Sequence, residues 1–290
     1  MDLYATVDIG GTTARVATFK TMRRPDIVDF KQFEMSGNYM KDMVQLDHEI
    51  RVITGGRPRA LGLAIAGLFN HEGTELVSSP NLRDWENQRL QETLEKSLAT
   101  RVVMANDASA AALGEATYFR HGLPFWYVTW GTGIGVRQVL IDRSLKATIP
   151  NSEFGHHVID MKARSVNLQG NSVKRCACGK AGCWETLSGG VGIRKRYGRP
   201  AESLSEREWA VVCQDFALGL RNLVAINPSI NQIVIGGGIM VKQRSRLRAI
   251  ERNLQHDCGG MFRVPRLSVV STGEQAGVVG GRAVLKRTSR

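Results

Sequence analysis

The amino-acid sequence predicts an α/β protein made of two similar halves. Two observations carry this. Apolar, β-rich runs alternate along the chain with stretches of helical periodicity, the pattern of helices layered on sheets. One unit also occurs twice: an apolar strand, a glycine-rich turn and a second apolar strand. The first copy is YATVDI and ARVATF around Gly10-Gly11, within residues 3–20. The second is WYVTW and VRQVLI around GTGIG, within residues 125–141. Repetition of such a unit, one copy per half, implies two related α/β halves.

The remaining elements follow in order. Residues 60–66 read as a strand ending at Gly67. Residues 85–99 read as a helix, with Leu90, Leu94 and Leu98 four apart, and 101–105 as a short strand. Residues 107–119 are Ala-rich and helical. Beyond the second hairpin, Ser205 and Glu208 have capping-box spacing and open a helix to about Ile226. A strand at 232–235 is stopped by Gly236-Gly237-Gly238. A basic helix at 242–255, a strand at 267–270 and a last helix at 276–286 complete the pattern. The 290 residues suffice for one large domain or two modest ones, and 42% apolar content can fill their cores. The boundary is expected near 119–123. It divides a small N-terminal α/β domain, 1–119, from a larger one, 120–275, with the C-terminal helix, 276–290, packing back on the first.

The 39 Lys and Arg against 27 Asp and Glu give a net charge of +12, which favours anionic partners. Basic residues cluster at Lys174, Arg175, Lys180, Arg194, Lys195, Arg196 and Arg199, and again at Lys242, Arg244, Arg246, Arg248 and Arg252. The plain reading is a solvated surface with no specific nucleic-acid partner. No apolar run approaches the ~18 residues that span a bilayer. The N-terminus has neither signal-peptide nor transit-peptide character. A cytoplasmic protein without a membrane partner is therefore expected. Three of the five cysteines lie within eight residues, which in a reducing compartment suggests a metal site rather than disulfides.

Five motifs could carry chemistry. In D-I-G-G-T, Asp8 to Thr12, glycine lets backbone donors approach phosphate oxygens, and the Thr12 hydroxyl adds another donor. Asp8, at a strand end, can hold Mg²⁺ directly or through water. The plain alternative is a hairpin turn capped by Asp8. G-T-G-I-G, Gly131 to Gly135, repeats the logic in the second half. Neither turn is a P-loop, since no Gly-Lys-Ser/Thr follows, and neither opens a helix as a Rossmann fingerprint does. Gly236-Gly237-Gly238 suits close approach to an adenosine group, or is a simple strand-to-helix turn. Asn106-Asp107 stands between a strand and a helix. Asp107 could accept a hydroxyl proton in phosphoryl transfer, or cap the helix. Finally, Cys176, Cys178 and Cys183 in C-A-C-G-K-A-G-C suit tetrahedral Zn²⁺, with His156 or His157 as the fourth ligand. Cys213 and Cys258 read as packing residues.

The order of these motifs resembles the ROK family of bacterial sugar kinases and repressors. The resemblance also includes A-I-A-G-L, S-P-N-L-R-D-W, N-D-A-S-A-A-A-L-G-E, E-F-G-H, I-G-G-G and G-E-Q-A-G-V-V-G-G-R-A, and covers essentially the whole chain. It implies an actin-like, hexokinase-like (ribonuclease H-like) two-domain fold with the active site in the interdomain cleft. The implied reaction is ATP-dependent transfer of the γ-phosphate to a hexose hydroxyl, glucose O6 leading. Asp107 would be the catalytic base. Gly67, Asn81, Asn106, Asp107, Glu153, His156 and Glu185 would bind the sugar. Asp8, Gly10, Gly11, Thr12, Thr13, Arg15, Gly131, Thr132, Gly133, Gly236, Gly237 and Gly238 would bind ATP with Mg²⁺. His156, Cys176, Cys178 and Cys183 would hold a structural Zn²⁺, His156 being preferred to His157 by motif spacing. Family members are often dimers, so a homodimer is the implied assembly.

The sequence departs from the family pattern in places. Residues 136–153 contain no glycine, where ROK kinases usually carry several, and this segment is about one residue short. The loop from His156 to Cys176 is longer than usual, and Ala66 stands where Pro is usual before the glycine. Other readings are kinases of N-acetylmannosamine, N-acetylglucosamine or fructose, a polyphosphate-dependent kinase, and a non-catalytic sugar sensor. A repressor would need a helix-turn-helix before the D-I-G-G-T motif, which here begins at Asp8.

Overall fold

The computed structural model describes residues 3–79, 81–119, 121–141, 147–150, 152–160 and 175–288. The chain separates into two compact units, Met1–Arg120 with Gln275–Arg290, and His121–Glu274.

The first unit runs β1 (Tyr4–Ile9), β2 (Thr13–Phe19), β3 (Phe30–Glu34), α1 (Tyr39–Thr54), β4 (Leu61–Ile65), β5 (Leu68–Phe69), β6 (Leu76–Ser78), α2 (Leu90–Leu98), β7 (Val102–Asn106) and α3 (Asp107–Tyr118). It is completed by the C-terminal helix, Ala276–Thr288. The main sheet has the order β3-β2-β1-β4-β7. Strands β1 and β2 form the expected antiparallel hairpin, and β1, β4 and β7 are parallel. Val7, Ile9, Leu63 and Ile65 are fully buried with Leu46, Ile50 and Leu94 from the helices.

Glycine sets how closely the C-terminal helix lies on this unit. A Cβ on Gly280 would fall 2.3 Å from the Ala110 carbonyl carbon of α3, and one on Gly62 of β4 would fall 2.4 Å from the Gly281 carbonyl oxygen. Backbone therefore meets backbone. Arg282 of the same helix is fully buried. Its guanidinium lies 5.1 Å from the Phe19 ring centroid and 4.7 Å from that of Tyr118, and it donates to the Thr21 carbonyl.

The second unit runs β8 (Phe125–Trp130), β9 (Ile134–Ile141), β10 (Ala147–Thr148), α4 (Trp184–Ser188), α5 (Gly190–Tyr197), α6 (Glu206–Ile226), β11 (Gln232–Gly236), α7 (Gly238–Lys242), α8 (Leu247–Cys258) and β12 (Arg266–Val269). Its sheet order is β10-β9-β8-β11-β12. As in the first unit, a β-hairpin is followed by two parallel neighbours. The internal duplication thus extends from the hairpin to the sheet. Trp126, Trp130, Trp184 and Trp209 are buried here, with Trp130 stacked on Phe216 at 4.0 Å. Cys213 and Cys258 are buried in the same core.

The capping box is present as read. Ser205 accepts from the Glu208 amide, while the Glu208 carboxylate accepts from the Ser205 amide. The helix it opens, α6, is long and apolar enough to cross a membrane by length and composition, although charged residues interrupt its apolar run. It carries Glu206, Arg207, Glu208, Asp215 and Arg221, and its apolar face forms the core of this unit. Asp215 is fully buried and pairs with Arg196 of α5 at 2.7 Å. Breaking such a pair strands a buried charge. Asp215→Ala is expected to lower stability by about 3–5 kcal/mol. Urea unfolding would show this as a lower midpoint at constant slope.

Other expectations need correction. The helix read at 85–99 begins at Leu90, because Arg83–Trp85 form a 3₁₀ turn and Asn87 has φ +59°. The basic helix read at 242–255 is three pieces: α7, a 3₁₀ turn at Arg244–Arg246, and α8. Strand β3 and helices α1, α4 and α5 were not read at all. The basic clusters are partly paired rather than merely solvated. Arg199 meets Glu208 at 2.6 Å, and Arg246 meets Glu206 at 2.5 Å while lying over Trp209.

Candidate functional site

In the first unit, the parallel strands end together. Ile9 of β1 is in register with Ile65 of β4, which is in register with Asn106 of β7. This places Asp8, Gly10 and Gly11, then Gly67, then Asn106 and Asp107 at the carboxyl edge of one sheet, where open α/β sheets bind ligands. Asn106 is the cap of α3, its side chain accepting from the Ser109 amide at 3.1 Å. Asp107 is therefore the first residue of the helix and not its cap. The Asn106 side chain also donates to the Gly67 carbonyl at 3.0 Å. Gly67 has φ +145°, and a Cβ there would meet Leu76 and the Ser78 carbonyl within 2.7 Å. Gly11 packs on Asn81, where a Cβ would lie 2.4 Å from that of the asparagine.

Asp8 is the electrostatic centre of this edge. Burial, and then the Asp107 charge, push its carboxyl up to about 6, while Arg15 at 3.4 Å pulls the other way. Arg15 is shared, since it also donates to Gln32 at 2.9 Å. The Gly10 amide donates to the Thr13 carbonyl and the Met35 amide to the Thr12 carbonyl, which fixes the turn. A Cβ on Gly277 would sit 2.2–2.4 Å from the Asp8 carboxylate. Sequence reasoning did not place Gly277 in the site. Its signal was the glycine at the start of the last helix.

The second unit gathers the other motifs. Thr129 of β8 is in register with Gly236 of β11, so the G-T-G-I-G and G-G-G turns leave adjacent strand ends. Gly237 has φ +87°, and a Cβ there would lie 2.4 Å from the Trp130 carbonyl oxygen. The Gly190 and Val191 amides donate to the Gly131 and Thr132 carbonyls at 2.8 and 2.9 Å. The Glu185 carboxylate accepts from the Ile134 amide at 3.0 Å, and only glycine at 133 leaves room for it, since a Cβ would fall 2.2 Å from its oxygen. Glu153 is exposed and lies 3.5 Å from the buried Arg137, a neighbour that sequence reasoning missed.

His156, Cys176, Cys178 and Cys183 bring their ligand atoms within 4.8 Å of one another. His156 Nδ1 is 3.2 Å from the Cys176 sulfur, and the Cys178 and Cys183 sulfurs are 3.5 Å apart. Ligands of tetrahedral Zn²⁺ are spaced about 3.3–3.8 Å from one another, so this donor set fits the ion. His157 turns away. Its Nδ1 meets the Phe154 carbonyl, its Nε2 lies 3.2 Å from the Asn222 amide, and its ring lies beside Trp184. Burial, then the contact with Cys178 and the neighbouring sulfurs, pushes the Cys183 thiol up, a cost that a cation would offset. Gly182 has φ +74°, and a Cβ there would collide with the Asp160 carbonyl. The long loop after His156 and most of its basic end, residues 161–174, lie outside the described residues, as do 142–146 and Asn151 within the glycine-free stretch.

Two units with matching sheets, each carrying a glycine-rich hairpin turn beside a second strand end, define an actin-like, hexokinase-like α/β protein. The chain belongs to the ROK family, whose model matches residues 4–288. It is 29% identical to the glucokinase of Aeropyrum pernix, over 97% of this chain and 96% of that protein. Among solved structures it is similar in fold to a ROK family glucokinase from Streptomyces griseus in complex with glucose and AMPPNP. There the TM-score is 0.77 at 20% identity, covering 99% of this chain and 100% of that one. The ROK hexokinase from Thermus thermophilus gives a TM-score of 0.75 at 21% identity, with the same coverage.

Proposed function

We propose that this protein is an ATP-dependent sugar kinase that transfers the γ-phosphate of ATP to a hexose hydroxyl, with glucose as the leading acceptor. The observation that carries this reading is the pair Asp8 and Asp107 at aligned strand ends, close enough for the charge of Asp107 to raise the pKa of Asp8. Phosphoryl transfer asks for such a pair, one carboxylate for the metal–phosphate complex and one for the hydroxyl proton. Family membership and the full-length similarity to the Aeropyrum pernix glucokinase support the same reading.

In this reading Asp107 accepts the proton of the attacking hydroxyl. Gly67, Asn81, Asn106, Glu153, His156 and Glu185 hold the other sugar hydroxyls. The Gly10 to Thr13 turn and Arg15 hold phosphate oxygens, as do Gly131, Thr132 and Gly133. Gly236 to Gly238 admit the adenosine group. Asp8 holds Mg²⁺, which supplies neutralisation of the phosphate charge. His156, Cys176, Cys178 and Cys183 fill a closed structural Zn²⁺ site. His156 Nδ1 faces the Cys176 sulfur, so it would be the metal ligand and would leave Nε2 for a sugar hydroxyl.

A screen of ADP release over several hexoses and N-acetylhexosamines, with ATP and polyphosphate as donors, tests the reading. ATP-dependent turnover of a hexose is expected, and no turnover on any sugar with either donor would refute it. Gly277→Ala is expected to raise the KM for MgATP about 10-fold by displacing Asp8, while the sugar KM stays near wild type. Initial rates with each substrate varied in turn check this.

A further inference from the structure

The reading above leaves unexplained a buried arginine beside one of the sugar residues. Arg137 of β9 is 2% exposed. A guanidinium taken out of water must be matched by partners. Its Nη1 donates to the Val136 carbonyl at 2.7 Å and to the Ser152 carbonyl, and its Nη2 lies 3.5 Å from the Glu153 carboxylate.

The neighbourhood fixes the segment that carries Glu153. The Ser152 hydroxyl donates to the Val136 carbonyl at 2.8 Å. A Cβ on Gly155 would fall 1.9 Å from the Ile134 carbonyl oxygen, so this segment lies directly on β9. Phe154 meets Trp126 edge-on at 5.7 Å. Arg137 meets the Glu153 side chain, which is itself 44% exposed. One end of the guanidinium is held by backbone, and the other faces the exposed Glu153 carboxylate.

We propose that Arg137 is a positioning residue that fixes the Glu153 carboxylate and makes the site select neutral sugars over cationic amino sugars. The inference rests on the kinase reading. A carboxylate already paired with a guanidinium still accepts hydrogen bonds from neutral hydroxyls. It does not attract an ammonium group, which would meet the positive charge of Arg137 at close range. An unpaired carboxylate would favour the ammonium. Arg137 stands in the glycine-free stretch that follows G-T-G-I-G, where a flexible strand could not hold such a contact.

The test uses the full chain, with glucose and glucosamine as probes and ATP as donor. Arg137→Met is expected to raise the glucose KM about 10-fold, as one charge-assisted contact loses its placement, with kcat within about 3-fold and the MgATP KM unchanged. The ratio of kcat/KM for glucosamine to that for glucose is expected to rise about 10-fold. Arg137→Lys keeps the charge but not the fork, so it should raise the glucose KM and retain the preference for the neutral sugar. A merely structural arginine would change glucose, glucosamine and ATP alike. Folded Arg137→Met with an unchanged sugar ratio overturns the inference. If that variant does not fold, Arg137→Lys with a wild-type glucose KM overturns it. Wild-type protein that phosphorylates no hexose would instead overturn the kinase reading.

Discussion

Asp107→Asn is expected to fold and to bind sugar as the wild type does, and to lose about 10²–10⁴-fold in turnover, the usual worth of a general base. The amide keeps the shape of the side chain but cannot take the hydroxyl proton. Two effects on stability oppose each other. Removing a negative charge from the first turn of α3 costs about 0.3–1 kcal/mol through the helix dipole. Removing it from beside Asp8 relieves the repulsion that helps to raise the pKa of that carboxyl. The helix cap stays intact because Asn106 supplies it. The melting temperature should therefore move little while kcat collapses. Rates from ADP release, sugar affinity by calorimetry and a thermal melt separate these readouts. Near-wild-type turnover would remove Asp107 from the role of base.

Much of this site was legible in the sequence because its geometry is set by short motifs on strand ends. Two strands and a glycine turn dictate a hairpin, and both hairpins form, with their glycine turns at the strand ends. The alternative reading of Asp107 as the cap of α3 is off by one residue, since Asn106 is the cap. Asn and Asp are both good caps, and sequence does not say which one faces the third amide. Helix α1 was missed because Met40, Val44 and Val52 are exposed apolar residues that blur the spacing of the buried Met43, Leu46 and Ile50. The break before α2 depends on a positive φ at Asn87, a residue with no glycine or proline to announce it. Arg137 was invisible for a different reason. A charged residue in a strand reads as solvent-facing, and its burial depends on Ser152 and Glu153, fifteen and sixteen residues away.

The cysteine cluster supplies the second large effect. Cys178→Ser is expected to reduce zinc from about one ion per chain to a small fraction, and to weaken sugar binding on the order of 10-fold or more, while ATP affinity changes less. Cys178 is the informative choice because it is exposed, whereas Cys176 and Cys183 are buried and their loss would also disturb packing. The route from metal to sugar is short. Cys183 immediately precedes α4, whose first residue, Trp184, donates its amide to the His157 carbonyl at 3.0 Å. The Trp184 indole fills the space that a side chain on Gly219 would occupy. The next residue, Glu185, is fixed on the Ile134 amide. His156 is itself a member of the cluster. Loss of one sulfur is therefore expected to loosen two of the proposed sugar ligands, His156 and Glu185, at once. Each hydrogen bond to a charged group contributes about 1.5–3 kcal/mol, so misplacing one of them already accounts for 10-fold. Zinc added back after chelation should restore sugar affinity to the wild type but not to the serine variant. Metal analysis finding no zinc in protein purified without chelator would refute the site. Zinc-free protein with unchanged sugar affinity would refute the coupling, because Glu185 and His156 would then be held by the fold without the ion.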